Sequence, residues 1–210
     1  MSKPADGWDE LVQLSQDGSF RSSQAILAAY GQRKARKADI EFIRTQLLQA
    51  AANGDMRSAE ALIRFYRERP DLTPNARQER RALLDRYGRE ISESAWNREL
   101  MHDKIAENPA YSFSAITEIL NKSSSAAYVD TLFEMRRVSP NAFVFAAQSE
   151  LAELGEISVR RKGRLTSATL AKFLEICKKE GREEECRTAP LGYDTVRIIG
   201  EYLVATRAAG

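Results

Sequence analysis

Apolar residues recur three and four positions apart along most of this chain, with polar residues between them. That spacing predicts a succession of amphipathic helices rather than strands. A first helix is predicted over 8–16, with Trp8, Leu11 and Val12 on one face and Gly18 beyond it. A second covers 22–30, and Gly31 suits the left-handed position that ends a helix. A third covers 38–52 on Ile40, Ile43, Leu47 and Ala51, and Asn53-Gly54 stops it. Asp55 is placed to cap a fourth, whose face is Ala59, Leu62, Ile63 and Tyr66 and which Pro70 closes. Thr73-Pro74 pairs a capping side chain with a proline suited to the first helical turn. The helix it opens is predicted to reach 107 through Leu84, Tyr87, Ile91, Ala95, Trp96, Leu100 and Ile105. Gly88 weakens its middle by about 1 kcal/mol, which marks a kink or break there.

Asn108-Pro109 interrupts the pattern and divides the chain into a helical bundle over 1–108 and a second domain over 109–210. Helices are predicted over 114–121 and 126–137, joined by a polar stretch over 122–125. Ser139-Pro140 repeats the cap-plus-proline signal and opens a helix to 154, ended by Gly155. Over 156–166 the period changes: Ile157 and Val159 alternate with Ser158 and Arg160, and Lys162-Gly163 supplies a turn, so a short β-hairpin is predicted. Thr166 is placed to cap a helix through Phe173 and Leu174 to 180, with Gly181 after it, and a last helix carries Val196, Ile199, Tyr202 and Leu203. Residues 48–62 resemble one hairpin of a solenoid, but no second copy follows at a fixed period, and such folds need about three units.

Composition narrows the function class. The chain has 210 residues, 43% apolar and 30% charged, an ordinary globular balance. Its net charge is only +2, so any affinity for nucleic acid must come from local patches. Cys177 and Cys186 are too few for a disulfide framework, and their spacing and distance from His102 do not suit a zinc site. They are expected to be free thiols in a reducing compartment. Residues 1–8 hold one lysine and no apolar core, unlike a secretion signal, and no apolar run approaches the roughly 20 residues of a membrane span. A cytoplasmic protein with no membrane association is expected.

The densest local patch is Arg160, Arg161, Lys162 and Arg164 around Gly163: four cations within five residues. Their mutual repulsion is relieved by a neighbouring anion, and the phosphates of a nucleic-acid backbone are such anions. Arginine adds a planar fork that binds phosphate through two hydrogen bonds. A solvated turn kept soluble by its charge fits the same residues.

The order helix, helix, turn, helix, hairpin over 112–166 resembles the winged helix-turn-helix DNA-binding superfamily. Val138-Ser139 occupies the turn into the recognition helix, Leu151, Leu154, Gly155 and Ile157 its exit, and the four cations the wing. The resemblance implies a mainly α fold: an N-terminal helical bundle, a winged-helix-like segment with one short β-hairpin, and C-terminal helices. It also implies that the helix from 140 faces nucleic acid. Of that helix only Asn141, Gln148 and Ser149 can read base edges, whereas Phe143 to Ala147 is apolar. That composition argues against sequence-specific reading and suits a helix that contacts protein.

A second cluster, Arg33, Lys34, Arg36 and Lys37, either crowds the positive end of the third helix as an anion site or lies in a loop before a cap at Asp39. Arg77, Arg80 and Arg81, interleaved with Glu79 and Asp85, read as a solvated face with weak ion pairs. His102-Asp103 are adjacent helical positions about 100° apart and form no natural relay. No phosphate loop, nucleophile elbow or metal-spaced pair is present, so the sequence predicts neither an enzyme nor a cofactor or metal. Two roles remain. One is a nucleic-acid-binding accessory or regulatory protein, contacting phosphates through the wing cations and the Arg33–Lys37 patch. The other is a helical adaptor, chaperone or assembly subunit that binds a protein partner or itself.

Overall fold

The structure, a computed structural model, describes residues 7–17, 19–31, 37–70, 75–109, 112–158, 160 and 162–209. Among these, twelve helices and no strand are present. The chain separates into two compact units, Met1–Ser92 and Glu93–Gly210.

The first unit comprises α1 (Gly7–Gln16), α2 (Phe20–Gly31), α3 (Lys37–Ala52), α4 (Met56–Glu68) and α5 (Ala76–Ile91). α4 packs between α3 and α5, and α1 packs on α2. The predicted faces form the core: Ile40, Ile43 and Leu47 from α3, Leu62, Ile63 and Tyr66 from α4, Leu84 and Tyr87 from α5. The Tyr66 hydroxyl donates to Glu79, which also faces Arg44, so an ionic group of α5 meets a buried aromatic of α4. Burial pushes the Tyr66 hydroxyl up from its ordinary value, and the hydrogen bond to Glu79 adds to this. Asp55 stands at the start of α4 but takes the Ser58 hydroxyl at 2.7 Å instead of a backbone amide.

The predicted helix to 107 is two helices. It breaks at Ser92, whose φ and ψ of −178° and 155° are extended, while Gly88 stays buried inside α5. α6 (Glu93–Glu107) then begins the second unit, and Asn108-Pro109 separates α6 from α7 (Ser112–Asn121) within it. The Thr73-Pro74 start signal lies outside the described residues.

The rest of the second unit is α8 (Tyr128–Val138), α9 (Pro140–Glu153), α10 (Ser167–Lys179), the six-residue α11 (Glu183–Thr188) and α12 (Tyr193–Ala209). Both predicted caps form: the hydroxyls of Ser139 and Thr166 accept from the amides of Ala142 and Thr169. α9 is the central element, buried on nearly every side through Ala142, Phe143, Val144, Ala146, Ala147 and Leu151, and it contacts α7, α8 and α12. A helix apolar around most of its circumference belongs inside a core. Phe143, Val144, Ala146 and Ala147 are therefore interior while Phe145 is half-buried, and Phe143 meets the Phe173 ring of α10 at 6.0 Å.

Two sequence expectations are corrected here. Residues 156–166 form no β-hairpin, so the winged-helix-like segment is absent among the described residues and the fold is all-α. The reason lies in the backbone hydrogen bonds. The Gly155 amide donates to the Ala152 carbonyl and the Glu156 amide to the Leu151 carbonyl, closing the end of α9, with Gly155 in the left-handed region at φ 72°. Ile157 also directs its amide at Leu151, so the donors a first strand would need are already committed. The cysteines are not free: Cys177 and Cys186 are joined in a disulfide, both sulfurs buried. They lie nine positions apart in sequence. Closing so short a loop stabilises the folded chain by about 3 kcal/mol on chain-entropy grounds.

The polar stretch after α7 is tied to the start of α6. Ser124 donates its hydroxyl and its amide to the Glu93 carboxylate at 2.7 and 2.6 Å, which holds that carboxylate below its ordinary value of 4.5. A depressed carboxylate contributes stability that is present above its unfolded value and is lost as pH falls through its folded value. Ser124→Ala should therefore flatten the fall in second-unit stability below pH 4.5, read by denaturant titration at several pH values. An unchanged pH profile would rule out that contribution. Phe143→Ala should destabilise the second unit by about 3–5 kcal/mol, while Phe42→Ala, at a position 40% exposed, should cost far less. Urea unfolding of the two variants checks the difference.

Candidate nucleic-acid interface

The loop between α9 and α10 is held at both ends and in its middle. Glu156 at its start accepts from the Tyr202 hydroxyl of α12 and pairs with Lys172 of α10 at 3.3 Å. That hydrogen bond to Glu156 pushes the Tyr202 hydroxyl up from its ordinary value. Thr166 closes the far end as the cap of α10.

Between these anchors stands Gln148. Its side chain is fully buried, and all three of its hydrogen bonds serve the loop or its anchor. Oε1 accepts from the Gly163 amide at 2.8 Å, while Nε2 donates to the Arg164 carbonyl at 2.8 Å and to Thr169 Oγ1 at 2.6 Å. A carboxamide offers one acceptor and two donors at fixed angles, so it can replace the backbone of a missing strand at this point. Gly163 is required twice over. Its φ of 90° is left-handed, and a Cβ there would meet Cε2 of Phe113 at 3.0 Å.

This scaffold turns Arg160, Lys162 and Arg164 outward. All three are exposed, and none pairs with a carboxylate among the described residues. Lys162 lies 6.0 Å over the Phe145 ring, which in turn faces Phe113 at 5.8 Å. The aromatic pair thus supports the loop from beneath. Leu154 and Leu165 are exposed beside the cations.

The other sequence-derived site residues are placed less uniformly. Asn141 is exposed at the start of α9, and its carbonyl oxygen lies under Gly163, 3.6 Å from where a Cβ would stand. Gln148 is interior, so it positions the loop and cannot itself touch a ligand. Ser149 donates to the Phe145 carbonyl of its own helix. Arg161, Arg33, Lys34 and Arg36 lie outside the described residues, and Lys37 is the first residue of α3. Of the group read as a solvated face, Arg81 pairs with Asp85 at 3.3 Å in the open, whereas Arg80 and Glu79 are half-buried and Glu79 accepts from Tyr66. His102 and Asp103 are half-buried neighbours on α6. Among the described residues, no group of three or more His, Cys, Asp or Glu side chains is placed to hold a metal ion, and no helix is long and apolar enough to cross a membrane.

Sequence reasoning found the cations and missed what holds them. Gln148 is read there as a base-contacting residue because its helix is oriented by analogy. The signal that could have identified it is a carboxamide set directly after the apolar run Ala142 to Ala147, in the interior part of the helix.

Gln148→Leu keeps the volume but orphans the Gly163 amide and the Arg164 carbonyl. It should cost about 2–4 kcal/mol and accelerate hydrogen exchange at Gly163. Exchange at Gly163 as slow as in the parent chain would refute the latch. Compared with known proteins, the chain matches no family model, no curated protein and no solved structure.

Proposed function

We propose that this chain is a non-enzymatic nucleic-acid-binding accessory or regulatory protein that grips the phosphate backbone through the loop over 156–166. The observation that supports this reading is the set of three exposed cations, Arg160, Lys162 and Arg164, with no carboxylate partner among the described residues, beside a backbone that buried Gln148 holds at Gly163 and Arg164. Like charges brought together in one short segment repel one another, and the held backbone at Gly163 and Arg164 costs less to order on meeting a ligand. Both features favour an extended polyanion over solvent.

Contact of this kind is independent of base sequence. Lysine and arginine on phosphate fix position and affinity, whereas reading requires side chains at base edges. Asn141 is the one exposed carboxamide of α9, so the reading predicts weak sequence preference. The Arg33, Lys34, Arg36 and Lys37 cluster supplies a second set of cations in the same chain. The competing role, docking of a protein partner, draws on the apolar stretch of α9 and on one long helix over 73–107; Phe143, Val144, Ala146 and Ala147 are core residues, and the long helix is instead α5 and α6.

Binding of labelled duplex DNA, duplex RNA and single strands, followed by anisotropy across a salt series, tests the reading. Affinity should fall steeply with salt. The Arg160→Ala/Lys162→Ala/Arg164→Ala variant should bind more weakly and lose roughly 1 unit of log–log slope for each phosphate contact removed. Unchanged affinity and slope, or a stoichiometric protein partner co-purifying without nucleic acid, would overturn it.

A further inference from the structure

The segment over 181–190 is attached to the second unit in an unusual way. Cys186 is the one buried residue of α11, and its burial is that of the disulfide itself. A six-residue helix is far below the length that holds together alone in water. Arg182, at its start, makes no side-chain capping bond. Its remaining side-chain ties are ion pairs at the surface: Arg182 with Glu185, Arg182 with Asp194 at 3.6 Å, and Arg187 with Glu183 and Glu184. Pairs of that kind contribute little in water.

The two ends are fastened independently of the sulfurs. The Arg182 amide donates to the Cys177 carbonyl at 2.9 Å, and the buried Thr195 hydroxyl donates to the Ala189 carbonyl at 2.7 Å. α11 is therefore a strap with two backbone-anchored ends and a middle held by one covalent bond. α10 and α12 do not depend on it in the same way. Each carries its own buried face, with Phe173 and Ile176 on the first and Val196, Ile199 and Leu203 on the second.

We propose that the Cys177–Cys186 bond is a redox-operated clasp: a dithiol reductant opens it, and α11 leaves the core while α10 and α12 stay folded. The chemistry is thiol–disulfide exchange. A thiolate of the reductant attacks one sulfur and expels the other cysteine as a thiolate, which takes up a proton. The second thiol of the reductant then displaces the first cysteine in the same way and becomes oxidised to a disulfide. Two electrons and two protons pass to the protein, and two thiols result. Both sulfurs are buried, at 0% and 1% exposure, so attack waits on a local opening of α11. Release exposes the Cys186 thiol and uncovers the core beside Cys177 and Ile176.

The test uses the full chain purified without reductant. Alkylation after denaturation should find no free thiol, and two after treatment with dithiothreitol. Native protein should be reduced at least about a hundredfold more slowly than denatured protein, because access controls the exchange. Hydrogen exchange followed by mass spectrometry should show amides of 183–188 exchanging at least about tenfold faster after reduction, with 140–153 and 193–207 changed less than about twofold. The Cys177→Ser/Cys186→Ser variant should reproduce the reduced pattern, and if it fails to fold, reduction of the parent chain in place decides the matter. Two free thiols in the isolated protein, reduction as fast as in denaturant, unchanged exchange in α11, or loss of protection throughout the unit would each overturn the clasp.

Discussion

The candidate interface depends on where the polar groups of the loop after α9 find their partners. A backbone amide or carbonyl near a core must be hydrogen-bonded, and a loop with no strand beside it has few ways to achieve that. In this protein α9 meets the need from both directions. Its last turn takes the amides of Gly155, Glu156 and Ile157, and the Gln148 carboxamide takes Gly163 and Arg164. The side chains of Arg160, Lys162 and Arg164 are exposed beside these bonds. The cations are presented by an arrangement whose energetic centre is a neutral, fully buried side chain.

The same helix organises the rest of the second unit. Its apolar positions supply the centre of the core, and its buried polar side chains, Gln148, Ser149 and Glu150, are each matched to a partner. Glu150 is nearly buried and is answered by Arg207 of α12, whose Nε donates to it at 3.0 Å and whose guanidinium also reaches Asn121 at 2.9 Å. Arg207 lies 4.5 Å over the Tyr128 ring, so the charge is shared between a carboxylate and an aromatic face. Glu150 holds the guanidinium above its ordinary value, and burial pushes the Tyr128 hydroxyl up. A buried carboxylate without such a partner would be strongly destabilising, so the end of α12 and the middle of α9 are required together.

Charge serves two purposes. Arg44, Glu79 and Tyr66 form a network that links α3, α4 and α5 in the first unit, and Arg98 with Glu134 links α6 to α8 in the second. In the second unit charged side chains also secure the ends of elements: Glu93 with Ser124, Glu156 with Lys172 and Tyr202, Glu150 with Arg207. The loop cations stand outside this pairing, and α11 stands outside apolar anchoring, held at its middle by a disulfide. Departures of these two kinds from an otherwise consistent structure are where function and regulation are most economically sought.

Periodicity alone determined that the chain is helical and located most of the helices, because side-chain spacing and capping are local properties. Ser139, Thr166, Gly155 and Gly181 act where their positions indicate. Three things were beyond local reach. The alternation over 156–166 is a real period of two, yet a strand needs a partner, and the neighbouring helix took the bonds first. The break at Ser92 rather than Gly88 reflects which residues the core of the first unit buries. Whether Cys177 and Cys186 meet depends on the turn at Gly181 folding α11 back onto α10, which spacing cannot reveal. The residues were legible in every case; what only the tertiary structure decided was which polar group or sulfur stood within bonding distance of which.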